Sequence, residues 1–155
     1  MLFSVTVFAG TVNAKVTNKI NFGISPKELK NIIKSEPLSN SHDNGNYAVY
    51  YFTNVEDPLG VKRELNSFAF SDNQLFSAVF DSATTDEEHA KIIEDYKKNA
   101  SKVLKEKLNV KERKGGLLLY NSKKLIEIYR MLDYTFIISF LYDSEKLDEI
   151  LSDYE

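Results

Sequence analysis

The chain has no cysteine and no tryptophan, and only two histidines, two methionines and three prolines in 155 residues. Without cysteine there is no disulfide, iron–sulfur cluster, thiolate zinc site, cysteine nucleophile or lipid attachment through a thiol. His42 and His89 are too few for a histidine-rich metal centre, so no metal and no other cofactor is expected. No G-x-S-x-G, P-loop or G-x-G-x-x-G sequence is present, and Gly115-Gly116 alone reads as a turn. Basic character is also missing: the net charge is -3 and the pI near 5.5, whereas nucleic-acid binding leaves the footprint of a basic domain. No stretch approaches the roughly 20 apolar residues of a membrane-spanning helix. What remains is a chain that is 43% hydrophobic and 28% charged. At this length a folded chain buries roughly 68–70% of its unfolded surface, enough for a stable domain held by its core alone.

Residues 1–14, MLFSVTVFAGTVNA, carry no charged side chain and end in Val12-Asn13-Ala14 before Lys15. An apolar run closed by a small residue reads as the core and cleavage site of a secretory signal, although the usual basic residues at its start are missing. Cleavage after Ala14 leaves 141 residues and no stable membrane anchor. The competing reading is a buried or edge β-strand, because Phe3, Val5, Val7 and Phe8 favour strands; the protein would then remain in the cytoplasm.

The first marked element is a helix opening at Ser25. Ser25 is an N-cap, Pro26 occupies the first helical position, Glu28 completes an S-x-x-E capping box, and Ile24 and Leu29 stand at the staple positions. Pro37 stops this helix near residue 35. Three strands follow, at 46–54, 61–71 and 74–81, rich in aromatic and β-branched residues and separated by turn formers. A second capping box, Thr85 to Glu88, opens a long helix predicted to reach about Leu108, with Ile92, Ile93, Tyr96, Ala100, Val103 and Leu104 at helical spacing. Three further strands are predicted at 117–121, 124–131 and 134–142. A short amphipathic helix capped by Ser144 closes the chain. The order, helix plus three strands twice over, favours an α+β fold: one antiparallel sheet with helices on one face and a short C-terminal helix. Residues 15–155 read as a single domain with halves at about 20–82 and 83–155.

The phrase Phe22-Gly23-Ile24-Ser25-x-x-Glu28-Leu29, with Pro37 eight residues later, resembles the opening of small bacterial envelope domains: the outer-membrane assembly lipoproteins and β-lactamase-inhibitor-protein-like modules. In those, the helix leads through a Gly-x-Pro turn into a β-meander. The resemblance covers about 16 residues and implies fold more than function. Lys34-Ser35-Glu36-Pro37 lacks the family's glycine, and neither a lipidated cysteine nor a disulfide is available.

Candidate functional residues follow from composition and placement. Tyr47, Tyr50, Tyr51 and Phe52 crowd one strand on both its faces, and aromatic residues are enriched where proteins bind proteins. Tyr47, Tyr51 and Phe52 are the expected anchors, with Lys62 and Arg63 as polar contributors from the next strand. His42 lies in the turn-forming stretch 39–46, and His89 follows Glu88 without an HExxH pattern, so both read as surface residues. Carboxylates are plentiful, but a hydrolase needs two across a cleft, a spacing no sequence displays. Residues 97–114 carry a local charge of +6 and 143–155 one of -5; part of this complements the helix dipole, and part could meet an acidic partner or anionic lipid. Together these features predict a secreted or periplasmic, non-catalytic, protein-binding domain of envelope-associated, inhibitor-like or immunity-like type. The alternatives are a small envelope hydrolase and a carrier of apolar ligands.

Overall fold

The computed structural model describes residues 14–42, 45–142 and 146–154. Residues 1–13, where the signal reading falls, and Ser144, the expected cap, lie outside them. The elements are α1 (Pro26–Ile33), β1 (Ser39–His42), β2 (Tyr47–Glu56), β3 (Lys62–Ser71), β4 (Gln74–Ala83), α2 (Asp86–Leu104), β5 (Asn109–Arg113), β6 (Gly116–Tyr120), β7 (Lys124–Met131), β8 (Tyr134–Leu141) and α3 (Leu147–Ser152). All eight strands form one antiparallel sheet in the order β1-β2-β3-β4-β8-β7-β6-β5. Each half is a helix followed by a four-stranded meander, and the halves join where β4 pairs with β8, Val79 opposite Ile138.

Both helices begin as their sequences dictate. The Ser25 and Thr85 hydroxyls accept from the backbone of Glu28 and Glu88, whose carboxylates accept from the cap N–H groups in return. Each helix ends on a lysine in the left-handed region, Lys34 at φ 59° and Lys105 at φ 54°. Thus α2 stops at Leu104, shorter than its apolar spacing suggests, and spans about 28 Å at 1.5 Å per residue.

Two strands, β1 and β5, are additional to the six legible in the sequence. They are the edges of the sheet, short and polar (SNSH and NVKER), with every β1 residue exposed. Such edges resist pairing with other chains, and for the same reason carry no apolar alternation to read.

The core lies between the sheet and α1 and α2. Phe52, Phe68, Phe70, Phe80, Leu117, Leu119, Ile126, Ile128 and Ile137 point inward from the strands, and Leu29, Ile92, Tyr96, Ala100 and Leu104 meet them from the helices. Residues 14–22 complete this layer: Ala14, Val16, Ile20 and Phe22 are all buried, and the Phe22 N–H donates to the Ala14 carbonyl at 3.0 Å. Ala14 is therefore a core residue.

The short C-terminal helix takes the other face. Leu118 and Leu125 alternate with the inward residues of β6 and β7, and with Tyr142 and Tyr154 they form a second small cluster packed by Leu147, Ile150 and Leu151. Tyr154 closes it, its hydroxyl donating to Glu127 at 2.6 Å and its ring lying 4.4 Å from the Arg113 guanidinium.

Candidate functional site

An antiparallel sheet with one face on a helical core normally presents polar side chains on the other. Here the outer face is largely aromatic and aliphatic. Register places its residues in rows across the strands. One row runs Tyr51, Ser67, Val79, Ile138 and Glu127; the next runs Leu65, Asp81, Phe136 and Tyr129. Tyr47 and Phe76 meet at one end, ring centroids 5.9 Å apart, while Tyr129 and Phe136 stack at 5.3 Å and 17° toward the other. Tyr47, Leu65, Met131 and Tyr134 are 40–56% exposed, and the others in these rows are half-buried by their neighbours. Where α3 covers the β6–β7 end the face is closed; from β2 to β8 no described element lies over it. Contiguous apolar surface of this kind marks interaction sites more often than chance exposure.

The sequence-derived anchors divide between the two faces. Tyr47 and Tyr51 stand on the open face as expected. Phe52 does not: it is 1% exposed and packs edge-on against Phe68 at 5.8 Å inside the core, so it is removed from the surface. Arg63 is likewise withdrawn. At Asn54 (φ 57°) the backbone turns left-handed, and Val55 is buried although Thr53, two residues earlier, is exposed. Arg63, opposite Val55, follows it inward. There its Nε donates to Asp57 at 2.8 Å, and Asp57, fully buried, also accepts from the N–H groups of Leu59 and Val61. This is a structural knot beneath α2. Burial, then the Asp57 charge, pushes the neighbouring Tyr96 hydroxyl well above the ordinary tyrosine range. Lys62 remains exposed, opposite Glu56 at the end of β3.

The two histidines also separate. His42 stays exposed on edge strand β1, its ring edge-on to Tyr50 at 5.6 Å. His89 is buried, which corrects its reading as a surface residue. Its Nε2 lies 3.0 Å from the Gly115 carbonyl, and its Nδ1 lies 2.9 Å from the Thr135 hydroxyl, itself 2.7 Å from that of Thr84. A carbonyl only accepts, so Nε2 carries a proton, and Nδ1 shares a hydrogen bond with the Thr135 hydroxyl. With Thr135 only 1% exposed, this hydroxyl–imidazole pair ties α2 to β8 and to the β5–β6 hairpin and is closed to a substrate.

The opposed charge blocks partly explain each other. Lys111 donates to the Leu151 carbonyl at 3.1 Å and Arg113 to the Asp153 carbonyl at 3.4 Å, so basic β5 holds the C-terminal end of the acidic α3 segment. Lys97 is bound by Glu94 and Glu112. Near the start of the described chain, Lys124 is fully buried, 2.7 Å from Glu106 and 2.6 Å from the Lys15 carbonyl, while the Lys15 N–H donates to Glu106 at 3.0 Å.

Among the described residues no three histidine or carboxylate side chains are grouped to hold a metal, and no helix is long and apolar enough to cross a membrane. Asp81 stands on the outer face opposite Leu65, and its carboxyl is raised above the ordinary aspartate value by burial and then by the charge of Glu64. Comparison of the chain with protein-family models, with characterised proteins and with solved structures finds no match, so the resemblance carried by residues 22–37 stands on those residues alone.

Proposed function

We propose that this chain is a non-catalytic domain that works by binding another protein through the outer face of its sheet, in the periplasm or outside the cell. The observation that carries the reading is the open aromatic and aliphatic surface from β2 to β8, on the side of the sheet away from the helical core. Tyr47 and Tyr51 supply large contact area with few rotatable bonds, as binding anchors do, and the short polar edges direct association to the face of the sheet. The uncharged run ahead of Ala14 and the capping motif at 22–37 support an exported, envelope-associated setting of inhibitor-like, immunity-like or assembly type; with Ala14 in the core and bonded to Phe22, a cleavage that leaves the fold whole falls before Ala14 rather than after it. The hydrolase reading needs two carboxylates across a cleft, whereas Asp81, the carboxylate with a raised pKa, stands on the outer face of the sheet. The carrier reading needs room between helices and sheet, where the large side chains of the core pack instead.

Affinity capture from separated cell fractions, with the intact mass of the bait measured, tests the proposal. Removal of the N-terminal run and a specific partner from the envelope or medium are expected. A full-length cytoplasmic protein that captures nothing would overturn it.

A further inference from the structure

Two carboxylates stand in the rows of the outer face, and one of them, Glu127, accepts from the Tyr154 hydroxyl beneath α3. Asp81 of β4 stands between Leu65 and Phe136 in the register, and Phe136 stacks on Tyr129. Its carboxyl is held above the ordinary aspartate value by burial and then by the charge of Glu64 on the adjacent strand. Neither carboxylate has a lysine or arginine partner among the described residues. The exposed cation of the adjacent strand, Lys62, stands three residues from Leu65 and opposite Glu56 at the start of β3, while Lys111 and Arg113 at the far edge of the sheet are engaged with α3. Glu64 is the residue next to Leu65, the partner of Asp81 across the strands, so the two negative charges lie close together. Asp81 thus adds negative charge between apolar and aromatic neighbours.

We propose that the outer face receives a protein segment that sets an arginine between Asp81 and the Tyr129–Phe136 stack, with apolar side chains on either side of it against Val79, Ile138 and Tyr51. The inference rests on the reading of this face as the binding surface and adds the chemistry of its partner. Arginine fits better than lysine because a planar guanidinium pairs with a carboxylate through two N–H groups and also lies flat on an aromatic ring, and it is the more weakly hydrated of the two cations. A divalent metal would find two carboxylates where it needs about six oxygen ligands. An anionic lipid surface would be repelled. A second copy of the same face would oppose carboxylates to carboxylates, since no lysine or arginine lies in the two central rows to offset them.

The test is a titration of isotope-labelled protein with L-arginine amide, L-lysine amide and L-norleucine amide, following backbone amide signals. Arginine amide should give saturable shifts at Leu65, Asp81 and Phe136, with lysine amide weaker and norleucine amide without effect there. Asp81→Asn should weaken arginine amide by about tenfold, the loss of one charged hydrogen-bonded contact, and Phe136→Leu, which keeps the apolar bulk, should weaken it as well. Norleucine amide shifting the same residues equally would overturn the arginine proposal while leaving the face as a binding surface. Shifts confined to other faces, or no saturable shift with any of the three, would overturn the proposal, and shifts confined elsewhere would count against the face itself. Arginine binding unchanged by Asp81→Asn would also overturn it.

Discussion

Replacing Glu106 by Gln should destabilise the fold far more than deleting the Glu106–Lys124 pair altogether. Lys124 is fully buried and Glu106 is 15% exposed, and burial pulls the lysine pKa below its ordinary value in spite of the carboxylate 2.7 Å away. Desolvation therefore exceeds what the pair returns. Glu106→Gln leaves an ammonium group buried without a counter-charge, a defect of about 3–5 kcal/mol. For a domain of this size that lowers Tm by roughly 6–20 °C. Lys124→Met keeps the aliphatic stem, loses the bond to the Lys15 carbonyl, and leaves Glu106 the Lys15 N–H and a 3.4 Å contact with the Asn121 amide; about 1–2 kcal/mol is expected. The double variant should lie within about 1 kcal/mol of the parent, because a neutral, well-packed pair replaces a buried ionic one. Urea unfolding of the four proteins at pH 7 measures the cycle. A lowered lysine pKa also means that the folded state releases this proton before the unfolded chain does. The parent should then gain stability relative to Lys124→Met as pH rises from that lowered value to the ordinary 10.5. If Glu106→Gln costs less than about 0.5 kcal/mol, or if the two single effects simply add, the reasoning fails.

Three further outcomes are expected. Asp81 holds its proton to higher pH when folded than when unfolded, so the parent loses stability as pH rises from 3.8 through the raised value; Asp81→Asn should flatten that slope and match the parent below pH 3.8, and unfolding titrations at several pH values check both. Arg113→Ala with Tyr154→Phe should loosen α3 while leaving the Tm within a few degrees, because only the small cluster around Leu118 and Leu125 depends on it; faster hydrogen exchange confined to 147–154 is the sign, and global loss of protection would refute it. His89→Ala leaves the Gly115 carbonyl and the Thr135 hydroxyl without their partner and removes buried volume, so it should cost about 2–4 kcal/mol; a change under about 0.5 kcal/mol in thermal unfolding would show that the bridge carries no stability.

The parts legible in the sequence are those set by local rules. Ser25 with Glu28 and Thr85 with Glu88 are self-contained caps whose partners lie three residues away. The alternation of Phe68 and Phe70, or of Ala78 and Phe80, needs only the pleat of a single strand. Features that depend on distant neighbours were not legible. Edge strands β1 and β5 form because β2 and β6 offer free backbone groups, not because SNSH or NVKER favours extension. Arg63 turns inward because Asn54, on another strand, adopts a positive φ; no count along β3 contains that information. Phe52 and Tyr51 are chemically similar neighbours, and only the position of the core relative to β2 decides which becomes surface. The same holds for His89, whose partners lie 26 and 46 residues away. In the sequence Asp81 is one carboxylate among many; its neighbours across the sheet, Leu65 and Phe136, set it apart.

The central claim, that the outer sheet face is the working surface, is tested most directly by comparing two variants as bait in the same capture experiment. One carries Tyr51→Ser with Ile138→Ser on the open face. The other carries Lys98→Glu with Lys102→Glu on the exposed side of α2. Both should remain folded by thermal unfolding. The account predicts that the partner held by the parent protein is lost from the first variant, with a weakening of more than about 2 kcal/mol, and kept by the second. Retention by the outer-face variant with loss from the helix variant would contradict it.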